Sequence, residues 1–413
     1  MILPMWKQEV LQRIKPTADE EKALYEKISV FLSEVNRTAG DAHAMLGGSG
    51  AKGTWLKGQH DADIFVLFPY EQYKENSAQL ADILEKRLKK MNKRFERLHG
   101  SRDYFRFKER NFMFEVVPIL KINNARDAVN ITDVSPLHAA WVNKNSKDKI
   151  RDDIRIVKAF CKAQRCYGAE SYIRGFSGYV LEILIIYYGS FEKLLKAAVK
   201  WEEKQVIDAG KLYKKGVVWM EMNEAKLHSP LIVVDPVDKS RNAAAALSKE
   251  KWLLFKKKAA AFLKKPNSSF FEKKEVTFDK LKGNVVWIEV EGNEGKEDKI
   301  GAQLLLAFEF LKKKLKDFCI TNSGWEWNEH AVFWFVVKKK EKEKLELRKG
   351  PPLDLEKHVA IFKKKHKNVV VKDGMIFAKL AVKDYKLNDF VRQVLKEEYF
   401  KEKVKKVVKF NSR

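Results

Sequence analysis

A chain of 413 residues exceeds what one hydrophobic core usually organises, and its 45% hydrophobic and 12% aromatic content excludes a chain disordered throughout. Its 82 lysines and arginines against 56 acids leave a formal charge of +26, which favours polyanionic partners: RNA, DNA or an anionic membrane surface. Cys161, Cys166 and Cys319 form neither a C-x-x-C pair nor an even framework, which argues against a disulfide scaffold or cysteine-ligated zinc and for a reducing cytoplasm.

The opening residues, MILPMWKQEV, lack the basic start and apolar middle of a signal peptide, so a soluble cytoplasmic protein is expected. Leu24, Ile28, Phe31 and Val35 recur at the spacing of one helix face. Gly47 to Gly53 reads as a turn, and Ile64 to Phe68 as a short buried strand. Leu80, Ile83, Leu84, Leu88 and Met91 mark a second amphipathic helix, after which Tyr104 to Leu120 alternates like a strand pair. These elements make residues 1–140 an α/β unit. Residues 141–265 read as mostly helical, with Ile154, Val157, Phe160 and Cys161 on one face. The apolar helix from Tyr179 to Tyr188 is too short to span a bilayer and contains Glu182.

Pro266 and Asn267 punctuate the next change. Asn284 to Val290 and Ala331 to Val337 read as strands flanking a helix from Gly301 to Lys314, giving an α/β body over residues 266–349. Gly350, Pro351 and Pro352 open a lysine-rich tail, 350–413, with an amphipathic stretch from Leu387 to Tyr399. No internal repeat is evident. The expected fold class is α+β and multidomain.

The stretch GGSGAKGTWLKGQHDADIFVLFP, Gly47 to Pro69, carries the most chemistry. Gly47, Gly48 and Gly50 let backbone N–H groups approach a phosphate, while Ser49 offers a hydroxyl and Lys52 a charge. Gly48, Gly50 and Gly53 satisfy G-x-G-x-x-G, but Gly58 interrupts the long helix that a dinucleotide fold requires. Lys52 precedes Gly53 instead of following it, which excludes a Walker loop. Asp61 and Asp63 stand two apart at the start of a strand, so both carboxylates face one side and suit a pair of divalent ions. In isolation such a pair also describes a solvated strand edge. In NFMFEVVPIL, Glu115 alternates opposite to Phe112, Phe114 and Val116, as either a third ligand or an edge-strand acid facing water.

The G-S turn, the D-x-D strand and a third acid resemble the nucleotidyltransferase superfamily. More closely, G-S-x-A-K-x-T-W-L, D-x-D-I-F, E-V-V-P, S-P-x-H (Ser135 to His138), Y-G-A-E (Tyr167 to Glu170), R-G-F-S-G-Y (Arg174 to Tyr179) and V-D-P-V-D-x-x-R-N (Val234 to Asn242) follow the order of the archaeal, class I CCA-adding enzymes. The resemblance is specific from Gly47 to Leu247 and weaker beyond Pro266. It implies a polymerase-beta-like nucleotidyltransferase head, a helical neck that recognises the base, an α/β body and a basic tail that binds tRNA. It also implies magnesium on Asp61, Asp63 and Glu115. Ser49, Lys52, His138, Lys158 and Tyr167 would grip the triphosphate and sugar of CTP or ATP, and Arg241 would read the base edge.

The expected partners are the acceptor and T arms of tRNA, gripped by Lys256 to Lys258, Lys338 to Lys340 and Lys363 to Lys365, with no membrane role and with a homodimer allowed. Two positions depart from the family pattern, whose third acid is usually Asp where Glu115 stands and whose loop base is often Arg where Lys52 stands. The bland alternatives are a core Tyr167, a helix-capping His138, a solvated Lys158, and Arg241 as the first residue of a helix through Ala243 to Leu247. A poly(A) polymerase-like enzyme or a non-catalytic RNA-binding relative are the competing functions.

Overall fold

The structure is a computed structural model that describes residues 3–214, 216–274, 277–278 and 281–413. The chain divides into two compact units, Met1–Lys274 and Glu275–Arg413.

The first unit opens with α1 (Met5–Ile14) and α2 (Ala18–Thr38), the latter started by a capping box between Thr17 and Glu20. There follow β1 (His43–Leu46), α3 (Gly48–Lys52), β2 (Asp61–Pro69), α4 (Tyr70–Tyr73), α5 (Leu80–Leu88), β3 (Glu96–Leu98), β4 (Tyr104–Glu109) and β5 (Phe112–Lys121). The sheet order is β1-β2-β5-β4-β3, with β2 and β5 parallel and the other pairs antiparallel. Ile28, Phe31 and Val35 of α2 and Leu80, Leu84 and Leu88 of α5 bury against one face of this sheet. There Phe31 stacks on Phe114 at 3.9 Å, and burying such a ring contributes about 1.5–3 kcal/mol. The opposite face carries Asp61, Asp63 and Glu115 together with buried Phe65 and Ile119. The glycine segment expected as a turn is the one-turn helix α3, ended by Gly53 in a left-handed conformation.

The chain continues through α6 (Ser135–Asn145), α7 (Asp148–Ala163), α8 (Gly178–Tyr188), α9 (Phe191–Lys200), β6 (Gln205–Asp208), α10 (Val218–Glu221), β7 (Leu231–Val234) and α11 (Lys249–Lys264). Ile154, Val157, Phe160 and Cys161 share the buried face expected of them, and they pack with α8, α9 and α11. Val10 of α1 belongs to this second core, and Lys7 pairs there with buried Asp153 at 2.6 Å. The parallel pair β6–β7 lies inside the segment read as helical. Ala243 to Leu247 forms turns, not the helix its composition suggests. Asn242 captures the backbone N–H groups of Val233 and Ala244, competing with a helical turn, and α11 starts only after Ser248 caps Lys251.

The second unit comprises β8 (Asn284–Glu291), α12 (Glu297–Lys314), β9 (Ile320–Trp327), β10 (Ala331–Val337), β11 (Glu341–Pro352), α13 (Glu356–Lys365), β12 (Val369–Lys372), β13 (Met375–Lys386), α14 (Leu387–Val394), α15 (Glu398–Lys403) and β14 (Lys406–Ser412). Its main sheet runs β14-β8-β10-β9, with a second of order β11-β13-β12. Val391 of α14, Phe400 of α15 and Leu304 and Leu311 of α12 share one core with Ile288 and Phe333. Residues 350–413 therefore contribute strands and core helices to this unit. Among the described residues no helix is long and apolar enough to cross a membrane.

Candidate active site

The parallel register pairs Asp63 with Glu115 and Asp61 with Met113. With Ala62, Ile64, Phe114 and Val116 buried on the core side, the pleat sends Asp61, Asp63 and Glu115 to the opposite, more open face. Gly47 N–H donates to Asp63 O at 2.7 Å, which draws the start of α3 over the strand end. Gly48 has φ +54, and a Cβ there would stand 1.6 Å from Asp63 Oδ2. Position 48 must therefore be glycine on two counts, its backbone conformation and the carboxylate against it. Burial, then the charges of Glu115 and Asp61, raise the Asp63 carboxyl to about 6 against the pull of Lys52. Arg106 on β4 holds Glu115 Oε1 at 2.8 and 3.2 Å. Among the described residues no three His, Cys, Asp or Glu side chains close into a metal cage. The donor chemistry nonetheless fits a hard divalent cation: three carboxylates face one side, Asp63 takes on neighbouring negative charge, and Glu115 Oε2 is unbonded among the described residues.

Above that face stands α7. Arg155 Nε donates to Trp55 O at 3.1 Å and its Nη2 to Gly53 O at 2.8 Å, which fixes the segment following α3. One turn on, Lys158 Nζ donates to Glu182 Oε1 at 2.7 Å, Thr54 Oγ1 at 2.9 Å and Thr54 O at 3.4 Å. Those bonds occupy every donor of an ammonium. Lys52 Nζ meets the other oxygen, Glu182 Oε2, at 2.7 Å, and Thr54 Oγ1 donates to Oε1 at 2.9 Å. Burial works to raise the Glu182 carboxyl, but Lys158 and Lys52 outweigh it and hold it down at about 2. Burial pulls Lys158 below the usual lysine range although Glu182 opposes it. With two ammonium groups on one carboxylate, the ionised acid is the fixed point. Tyr167 is half-buried, and burial, then Glu182, raises its hydroxyl above the usual phenol range. Its ring carries Lys162 Nζ at 5.0 Å. The Ser49 side chain lies half-buried in α3, while its carbonyl accepts from Thr54 N at 3.1 Å.

A second buried acid organises the remaining candidates. Asp235 Oδ2 accepts from Arg241 Nη1 at 2.6 Å and lies 3.0 Å from His138 Nε2, while Tyr179 Oη donates to Oδ1 at 3.0 Å. The His138 imidazole stacks on Tyr179 at 4.0 Å, and Lys52 Nζ lies 5.8 Å from the same Tyr179 ring. Burial would raise the Asp235 carboxyl, but His138 and Arg241 hold it below the usual range. His138 thus sits in the first turn of α6 with its ring engaged away from that helix.

Residues 28–121 match the family described as nucleotidyltransferase domain, and residues 152–272 match tRNA nucleotidyltransferase, second domain. The CCA-adding enzyme of Sulfurisphaera tokodaii is 32% identical over 90% of this chain and 87% of that protein. That of Methanosarcina mazei is 31% identical over 86% and 80%. The chain belongs to the archaeal CCA-adding enzymes. The family member from Nanoarchaeum equitans reaches 39% identity, over 59% of this chain and 61% of that protein. Among solved structures, a cytoplasmic RNA terminal U-transferase superposes with a TM-score of 0.50 at 16% identity, covering 65% of this chain and 98% of that one. At that identity the likeness speaks to the polymerase-beta-like fold alone.

Within this CCA-adding enzyme fold, three fully buried residues that organise the site, Thr54, Glu182 and Asp235, were not among the site residues expected from the sequence. The signal for Glu182 was available. An acid in the apolar helix GYVLEILIIYY must find cations, because an unpaired buried charge is costly.

Proposed function

We propose that the chain adds C, C and A to the 3′ end of tRNA from CTP and ATP without a nucleic-acid template, releasing pyrophosphate. The observation that carries this reading is the register pairing Asp63 with Glu115, which aligns three carboxylates on one sheet face beside α3. The reaction is in-line attack of the RNA 3′-hydroxyl on the α-phosphorus. Divalent cations, magnesium in this reading, held by Asp61, Asp63 and Glu115 supply Lewis acidity to the hydroxyl and charge neutralisation to the triphosphate. The chain's own residues position the reactants. Lys52 keeps N–H donors beyond its single bond to Glu182 and offers them to the triphosphate with the Ser49 hydroxyl. Lys158, buried with its donors engaged by Glu182 and Thr54, contributes charge behind Lys52. Tyr167 and His138 border the sugar and triphosphate. Arg241, anchored through Nη1 to Asp235, presents its remaining donors to the base edge.

The head is assigned to residues 1–140, the neck to 141–265, and tRNA binding to residues 266–349 together with 350–413, whose strands and helices belong to the same compact unit as the body. The acceptor and T arms are met by exposed lysines, Lys338 to Lys340 and Lys363 to Lys365. A groove of about 720 Å³ bordered by Lys312, Lys313, Lys316 and Asn322 adds phosphate-binding surface to the same unit. Of the run at Lys256 to Lys258, Lys256 is tied to Trp201 O and lies 4.5 Å from the Trp252 ring, so Lys257 is its exposed member. The free cysteines suit a reducing cytoplasm, and a homodimer is compatible with this reading.

The test is product sequencing after the protein meets tRNA lacking its terminal CCA, magnesium and all four triphosphates. The expected product ends in CCA, and Asp61→Ala or Asp63→Ala abolishes it. Addition of A alone would indicate a poly(A) polymerase-like activity, and near wild-type incorporation by either variant would overturn the assignment.

A further inference from the structure

We infer that Glu182 is a positioning residue for the incoming nucleotide, holding the ammonium groups of Lys52 and Lys158 in one fixed arrangement for the triphosphate. The inference rests on the proposed reading of those lysines and gives it a cause. Lys52 comes from α3, Lys158 from α7 and Glu182 from α8, so no local sequence constraint brings them together. Each oxygen of Glu182 is committed: Oε2 to Lys52 at 2.7 Å, Oε1 to Lys158 at 2.7 Å and to the Thr54 hydroxyl at 2.9 Å. The acid is fully buried, while the Lys52 side chain keeps 11% of its surface open. Glu182 therefore lies behind the lysines, and a triphosphate meets the cations before the anion.

Two ammonium groups this close repel each other without an anion between them, and a buried ammonium without a partner tends to lose its proton. Glu182 removes both difficulties before any nucleotide arrives. The two lysines then divide the work: Lys158, with its donors filled by Glu182 and Thr54, supplies charge and rigidity, and Lys52 supplies the exchangeable donors. This is preorganisation, in which a group that never touches the nucleotide sets its affinity.

The experiment measures steady-state CCA addition by the full chain, varying CTP, ATP and truncated tRNA separately, for Glu182→Gln and for the double variant Glu182→Gln/Lys158→Met. Thermal melting of each variant is measured alongside, and the double variant is read against Lys158→Met alone, so that loss of Lys158 is separated from loss of Glu182. In both Glu182→Gln proteins, KM for CTP and ATP is expected to rise by about tenfold or more while KM for tRNA stays within about twofold. Glu182→Asp, which keeps the charge, is expected to recover part of the loss. An unchanged nucleotide KM in whichever variant folds would overturn the inference, as would an equal rise in nucleotide and tRNA KM. Asp61→Ala serves as the control that separates the two claims. If it is inactive while Glu182→Gln keeps its nucleotide KM, only the role of Glu182 fails; if it remains active, the functional assignment fails first.

Discussion

Replacing Gly48 with alanine tests the geometry on which the candidate site depends. The residue has φ +54, and the added Cβ would lie 1.6 Å from Asp63 Oδ2, 2.6 Å from its Cγ and 3.1 Å from its Cβ. The left-handed conformation costs an alanine about 1–2 kcal/mol, and relieving an overlap of this size typically costs a further ~1–3 kcal/mol. The sum, about 2–5 kcal/mol, lowers the melting temperature of a unit this size by roughly 4–20 °C. The second effect is chemical. Asp63 is a strand residue flanked by buried Ala62 and Ile64, so its backbone cannot retreat and its carboxylate must swing away from Glu115 and Asp61. A displacement of about 1 Å at a reacting centre costs on the order of 100-fold in rate. Incorporation of labelled CTP into truncated tRNA, measured below the new melting temperature, reads the second effect apart from the first. A Gly48→Ala protein that melts within about 2 °C of wild type and turns over within about twofold of it would refute the reasoning.

The raised Asp63 carboxyl gives a stability prediction with a definite sign. Its folded value, about 6, exceeds its ordinary value of 3.8, so the deprotonated group opposes folding above pH 6. Metal-free protein should gain up to ~3 kcal/mol as pH falls through that window, and chemical denaturation of wild type against Asp63→Asn would show whether the gain is absent from the variant. Asp235→Asn removes the anion that holds Arg241 and His138, so discrimination of C and A against U and G should fall by about tenfold. Unchanged misincorporation would mean that Arg241 does not read the base. The logarithm of tRNA affinity should fall linearly with the logarithm of salt concentration, and Lys312→Glu with Lys316→Glu should reduce that slope by about 2. An unaltered slope would remove the groove from the RNA-binding surface.

Much of the head was legible because its signals are local. The helix face at Ile28, Phe31 and Val35 and the alternation through Phe112, Phe114 and Val116 emerge as α2 and β5, with Asp63 and Glu115 in register between strands. What stayed hidden depends on partners distant in sequence. Glu182 looked like an interruption of an apolar helix because Lys52, 130 residues away, is invisible to periodicity. Asp235 sat inside a quoted motif, but its partners His138 and Tyr179 lie 97 and 56 residues away. The helix expected from Ala243 to Leu247 lost to the side chain of Asn242, whose hydrogen bonds to Val233 and Ala244 outweigh the intrinsic preference of the alanines. Residues 350–413 read as a tail because lysines dominate the count. The strand β14, paired with β8, and the buried faces of α14 and α15 are each too short to declare a core alone.

The pattern of compensation around the site bears on why a longer third acid is accommodated. Lys52 and Lys158 share Glu182, Arg241 and His138 share Asp235, and Glu115 is matched through one oxygen to Arg106. The additional methylene of Glu115 lets a single carboxylate meet Arg106 on the neighbouring strand while its other oxygen remains available on the Asp63 side. Asp61 and Asp63 are the exceptions. Gly48 packs directly against Asp63, and Lys52 pulls on its charge only from a distance, without an ion pair among the described residues. The fold thus compensates Lys52, Lys158, Arg241 and Glu115 with partners of opposite charge, while Asp61 and Asp63, which share a face with Glu115, have no ion pair among the described residues. That excess of negative charge on one face is relieved by protonation of Asp63, by solvent at exposed Asp61, or by a small cation that the carboxylates share. With the Asp63 carboxyl raised to about 6, the three carboxylates are mostly ionised at neutral pH, the state in which the proposed reading needs them to receive a divalent ion.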